Sequence, residues 1–125
     1  ALILHADLPL LKTQHLTILQ DAHGLHEVSL LPDKHKQGSN VMMLTLPSTM
    51  QFFYGEGSFH LHQSFCKQQA INYQTVIIED LMLDIDEPED VIELYSRLPN
   101  ASTSATKCCL STLDQSIVLT KKSMV

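Results

Sequence analysis

The sequence has no tryptophan and only 4 glycines, and its 3 cysteines form no Cys-x-x-Cys pair. Cys108 and Cys109 are neighbours and Cys66 stands alone, so neither a disulfide framework nor a zinc site is spelled out. Reduced thiols in a cytoplasmic protein are the plain reading. Basic residues are scarce too. With 8 Lys and Arg against 14 Asp and Glu, the net charge is -6. That sign does not suit a general nucleic-acid binder, which needs a cationic face to displace counterions. No apolar run approaches the roughly 20 residues needed to span a bilayer. Ala1 to His5 are apolar but meet Asp7 and Pro9 at once, without a basic leader or a small-residue cleavage site. No signal peptide is read there.

What is present fits one domain: 125 residues, 44% of them hydrophobic, enough for a single core. Ala1 to His5 reads as a buried strand of a parallel sheet, which needs neighbours on both sides and implies residues upstream. The turn Ala6-Asp7-Leu8-Pro9 ends it. Thr13 is the expected cap of a helix with Leu16, Leu19 and Ala22 on one face and Gly24 as its stop. His26 to Leu31 reads as a strand closed by Pro32, and the polar stretch from Pro32 to Asn40 as a loop. Val41 to Leu46 returns as an antiparallel or edge-like strand. Ser58 is the expected N-cap of a helix to about Ala70, with Phe59, Leu61, Phe65 and Cys66 apolar. A short strand follows at Thr75 to Ile78. Pro88, with Glu89 and Asp90 in the first turn, opens a helix through Leu98, its apolar face being Val91, Ile92, Leu94, Tyr95 and Leu98. From Pro99 the chain reads as a linker-like tail, with a late strand at Gln115 to Thr120. Strands alternate with helices, so the class is α/β.

Two groupings carry candidate chemistry. Asp7 lies where a strand ends, and Asp84 and Asp86 follow a later apolar run. Ligands in open α/β sheets gather at the carboxyl ends of strands, and carboxylates meeting there suit Mg²⁺, a hard cation held by few carboxylates plus substrate phosphates. Asp7 before Leu8-Pro9 is equally a turn former, and acidic residues before a helix equally match its dipole. The second grouping is Gly55-Glu56-Gly57-Ser58 at a helix start, where glycines admit an anion to backbone N–H groups. An ordinary glycine turn reads the same way. Gly38-Ser39-Asn40, after Lys34, His35 and Lys36, is a second anion contact or a solvated loop. His60 and His62 stand two apart in a helix, pointing to different faces, and read as ordinary helix residues. His5 reads as strand packing, and His15, His23 and His26 as surface positions.

Taken in order, four segments resemble one family. Ala6-Asp7-Leu8-Pro9-Leu10-Leu11 is similar to its strand-end motif. Pro32-Asp33-Lys34-His35 with Gly38-Ser39-Asn40 is similar to its proline-aspartate loop and Gly-Thr-Asn turn. Phe53-Tyr54-Gly55-Glu56-Gly57-Ser58-Phe59, with His62 just after, resembles its Phe-Gly-x-Gly-Ser-Phe segment. Asp84-Ile85-Asp86-Glu87-Pro88-Glu89-Asp90 resembles its closing Asp-Ile-Asp-x-Pro-Glu-Asp motif. The family is 2-phospho-L-lactate guanylyltransferase with its phosphoenolpyruvate and 3-phosphoglycerate variants, which act in biosynthesis of the deazaflavin coenzyme (factor 420). Ser39 stands where Thr is usual, and keeps the hydroxyl. The family's N-terminal half, which carries the Lys/Arg loop for the nucleotide phosphates and the guanine site, has no counterpart here.

The resemblance implies a nucleotidyltransferase fold of the GT-A-like kind, three-layered around a mixed sheet. Residues 1–98 would be its C-terminal part and 99–125 the tail. It implies GTP and a phosphorylated three-carbon acid as substrates, Mg²⁺ held by Asp7, Asp84 and Asp86, and Asp7 and Asp86 as catalytic residues. Of the later pair Asp86 is the favoured direct ligand. Ser39, Gly55 and Ser58 match positions that hold the acid. Membrane and nucleic-acid partners are not expected. The alternatives are another nucleotidyltransferase of the same fold, or a truncated, non-catalytic binding remnant.

Overall fold

The structure, a computed structural model, describes residues 1–98; the tail expected from Pro99, with its late strand, lies outside the described residues. The chain divides into two compact units, Ala1–Asp84 and a second beginning at Ile85.

The first unit is built on a four-stranded mixed sheet of order β1-β3-β2-β4. Its strands are β1 (Leu2–Leu4), β2 (Val28–Pro32), β3 (Ser39–Leu44) and β4 (Tyr73–Thr75). β3 runs antiparallel to both β1 and β2, and β4 runs parallel to β2. Helix α1 (Thr13–His23) lies between β1 and β2 in sequence; α2 (Ser58–Gln68) precedes β4, and the single turn α3 (Glu79–Met82) follows it. An α/β class with a mixed sheet is therefore what the strand–helix alternation forms.

Two core clusters follow from the pleat, because successive residues of a strand face opposite sides. Val28 and Leu30 of β2 join Met42, Leu44, Phe59 and Cys66 in one; Leu31 joins Val41, Leu19, Leu8 and Leu81 in the other. All five residues of β2, Ser29 included, are buried, as in a strand covered on both faces. Truncating a side chain as enclosed as Leu19, 1% exposed, costs about 2–5 kcal/mol.

Several local expectations change. β1 is not a buried parallel strand: it pairs antiparallel with β3, and Leu2 is 36% exposed. β3 is interior to the sheet and starts at Ser39, inside the expected loop. β4 ends at Thr75, where the expected strand began. Thr13 and Ser58 are first helical residues rather than caps; Lys12 and Gly57 hold the cap positions. Gly57 does so with φ +70, a left-handed conformation that glycine adopts without a Cβ penalty. Leu16 and Leu61 are exposed, and α1 instead docks through His15, Leu19 and His23. Those positions are four apart and share a helix face.

The second unit, as described, holds α4 (Pro88–Arg97). Leu94 is buried on it and Tyr95 is 55% exposed, so Tyr95 does not share the buried face the pattern assigned to it. Among the described residues no helix is long and apolar enough to cross a membrane.

Candidate functional site

The start of β3 is irregular, and the irregularity places the candidate residues. Leu31 pairs with Val41 while Pro32 pairs with Ser39, so Asn40 is an extra residue in β3 opposite β2. Such a bulge bends the strand and re-aims its side chains. Ser39 reaches α2, whereas Asn40 reaches the α3 end, where its Nδ2 donates to the Leu81 carbonyl at 3.1 Å and to Asp84 Oδ1 at 3.4 Å.

On the α2 side the structure brings Ser39 and Ser58 together. The Ser39 N–H donates to Ser58 Oγ at 3.1 Å, and the Phe59 N–H donates to the Gln37 carbonyl at 2.9 Å. The hydroxyl of Ser58 therefore serves β3, not its own helix end. Ser39 and Ser58 are 0% and 2% exposed. Gly55 lies at the surface just ahead of them, with φ +122 and open space where a Cβ would stand. Its backbone conformation, not crowding, calls for glycine there.

His62 closes this cluster. Its Nε2 accepts the Phe53 N–H at 2.8 Å, so that nitrogen carries no proton. The hydrogen of the neutral ring is then on Nδ1, which donates to Ser39 Oγ at 2.8 Å. Burial also pushes the His62 pKa below the usual histidine value, in agreement with a neutral ring. The residue is 0% exposed while His60 is exposed, so the two do point to different faces of α2, and it is His62 that is enclosed. A signal existed: Ser58, His62 and Cys66 fall four apart, on one stripe of α2.

Two other histidines read as surface positions are also buried, each because it finds partners. His15 accepts the Lys12 N–H on Nδ1 at 3.0 Å and places Nε2 3.4 Å from Asp80. His23 contacts Ser29 Oγ at 2.7 Å through Nδ1 and Thr45 Oγ1 at 2.8 Å through Nε2. His26 is half-buried and His60 exposed. His5 is half-buried beside the Tyr54 ring, centroids 5.7 Å apart.

The carboxylates come next. Asp7, exposed just beyond β1, and Asp84, 9% exposed, each offer an oxygen, and the two lie within 4.8 Å of each other. A cation bound at ~2.1 Å holds such oxygens roughly 3 Å apart when adjacent and roughly 4.2 Å apart when opposite, separations this limit admits. Hard carboxylate oxygens are the donors Mg²⁺ prefers. Asn40 adds a second sign. Its Oδ1 is buried without a hydrogen-bond partner, and an unsatisfied buried acceptor costs about 1–3 kcal/mol. The residues present thus fit a hydrated hard cation.

Asp86 is exposed in the second unit, where Asp90 fixes its backbone. Asp90 Oδ2 accepts the N–H of Asp86 at 3.0 Å and of Glu87 at 2.8 Å. This is why Pro88, Glu89 and Asp90 follow Asp86: Pro88 starts the helix, and the carboxylate at its third position turns back to bind the preceding N–H groups.

The first unit is thus an α/β fold in which a carboxylate just beyond β1 meets one that follows α3, with a glycine turn opening α2. Residues 1–121 match the family described as guanylyl transferase CofC like, and the chain belongs to that family. It is 31% identical over 103 residues to a phosphoenolpyruvate guanylyltransferase of Sphaerobacter thermophilus, covering 82% of this chain and 50% of that protein. It is 34% identical over 95 residues to a 2-phospho-L-lactate guanylyltransferase of Methanosarcina mazei, covering 74% and 43% respectively. The chain spans about half the length of the curated relatives it matches.

Proposed function

We propose that this chain supplies the metal- and acceptor-binding part of a guanylyltransferase of the GT-A-like nucleotidyltransferase fold. The protein carrying it transfers GMP from GTP to a phosphorylated three-carbon acid, namely 2-phospho-L-lactate, phosphoenolpyruvate or 3-phosphoglycerate. Deazaflavin coenzyme biosynthesis in the cytoplasm is the expected setting. The observation that carries the reading is the Asp7–Asp84 carboxylate pair, within 4.8 Å, in a chain of this family.

In the reaction an oxygen of the acceptor's phosphate attacks the α-phosphorus of GTP. A new P–O bond forms, the bond from the α-phosphorus to the β-bridging oxygen breaks, and pyrophosphate leaves with that electron pair. No general base is required, since the attacking phosphate is already ionised at neutral pH. Asp7, Asp84 and Asp86 would hold Mg²⁺, which when bound neutralises the charge gathered on the phosphates. Asp7 and Asp86 are the residues assigned the catalytic role, as ligands of that metal, with Asp86 favoured over Asp84 as the direct one. Gly55 would present its backbone to the acid, with the Ser58 and Ser39 hydroxyls behind it. His62 would hold those hydroxyls in register. Its Nδ1–H already donates to Ser39 Oγ, which leaves the Ser39 proton directed as a donor, the polarity an anion needs.

The test is to incubate the full-length protein with GTP, Mg²⁺ and each acid in turn, and to identify the product by mass. A GMP-capped acid together with pyrophosphate is expected. A product only with a sugar phosphate or a pterin would favour another nucleotidyltransferase of the same fold, and no product with any acceptor a binding remnant.

A further inference from the structure

Asn40 combines three features. It is the extra residue of the bulge in β3. It is 1% exposed. It also has the one buried side-chain polar atom without a partner among the described residues, Oδ1. Its amide orientation is not arbitrary. Nδ2 faces the Leu81 carbonyl and Asp84 Oδ1, both acceptors, so flipping the group would set oxygen against oxygen at each contact. The donor side is therefore committed to Asp84 and the turn before it, and the acceptor side is left over.

We propose that Asn40 is a positioning residue of the carboxylate pair. Its amide holds Asp84 in place, and its Oδ1 accepts a hydrogen bond from a water bound to a divalent cation at Asp7 and Asp84. The chemistry matches on each count. A cation-bound water turns its lone pairs to the metal and offers only protons, so its outer partner must be an acceptor. Mg²⁺ keeps several such waters. Asn40 offers an acceptor with no competing donor, and the bulge places it on the side of the strand where Asp84 lies. A residue serving only to tie β3 to α3 would need the Leu81 contact alone. The inference rests on the metal reading above, and adds a residue that acts through the ligands rather than as one.

The experiment measures Mn²⁺ affinity by electron paramagnetic resonance on the full chain, wild type against Asn40→Ala, with circular dichroism confirming the fold. Loss of an outer partner of this kind weakens metal binding about 10- to 100-fold, and that loss is expected. A folded Asn40→Ala chain that binds Mn²⁺ as the wild type does would overturn the inference while leaving the metal reading intact. A wild type that binds no Mn²⁺ would overturn both. A second measurement needs no variant. During a Mg²⁺ titration the side-chain amide resonances of Asn40 should shift along with the Asp7 backbone resonance. Asn40 signals that stay still while Asp7 moves would count against the proposal even if Asn40→Ala failed to fold.

Discussion

Ser39 and Ser58, 19 positions apart in sequence, are joined by a hydrogen bond from the Ser39 N–H to Ser58 Oγ at 3.1 Å. The bond ties the first residue of β3 to the first residue of α2, on the side of β3 away from Asn40. It also changes what a Ser58 substitution tests. The hydroxyl caps no helix end, so its loss strands a buried N–H instead.

Ser58→Ala should therefore destabilise the fold by about 1–3 kcal/mol, the cost of an unsatisfied buried donor, read from urea denaturation. Ser58→Gly should cost at least as much, whereas a capping serine would lose only a few tenths to glycine. In the full-length protein both should raise the Michaelis constant for the acid and leave that for GTP nearly unchanged. Equal effects on the two substrates would place the turn elsewhere in the site.

Gly55→Ala separates strain from crowding. No atom lies within 4 Å of the added methyl, but φ is +122, so the cost is backbone strain, about 1–3 kcal/mol. The expected result is a folded chain with weakened acid binding, measured by calorimetry with phosphoenolpyruvate. Unchanged stability and affinity would mean that the turn's conformation serves neither.

Acid should destabilise the first unit through His23. Burial and the charge on nearby His26 hold its pKa below the usual histidine value. Its folded-state affinity for a proton is thus lower than its unfolded one. The associated stability is fully present above about pH 6.5 and is lost as pH falls through the lowered folded value. His62, also depressed, by burial, acts in the same direction. Urea midpoints measured from pH 7.5 down to 5 should fall for the wild type and fall less for His23→Gln, which cannot take up a proton. Parallel curves would remove His23 from the account.

The α/β class and the approximate places of the helices were legible because they depend on local features, whereas the mixed sheet was expected only from the family resemblance. Pro88 with Glu89 and Asp90 marks a helix start wherever it occurs, and α4 begins at Pro88. The histidines were not legible. Whether His15, His23 or His62 is buried depends on acceptors and donors contributed by Asp80, Ser29, Thr45, Ser39 and the Phe53 backbone, mostly far along the chain. Strand roles failed for a related reason. β1 looks fully buried by composition, yet its place in the sheet is set by pairing with Val41 to Met43. The bulge at Asn40 left no trace in local pattern, since it exists only relative to β2.

The most direct measurement of the central claim is pyrophosphate release from GTP by the full-length protein, wild type against Asp7→Asn, with Mg²⁺ and the acid it accepts. The account predicts acid-dependent release by the wild type. It predicts loss of that release in Asp7→Asn, with the circular dichroism spectrum unchanged because Asp7 is exposed. Near-normal turnover by a folded Asp7→Asn protein would contradict the assignment of this strand-end carboxylate to the catalytic metal.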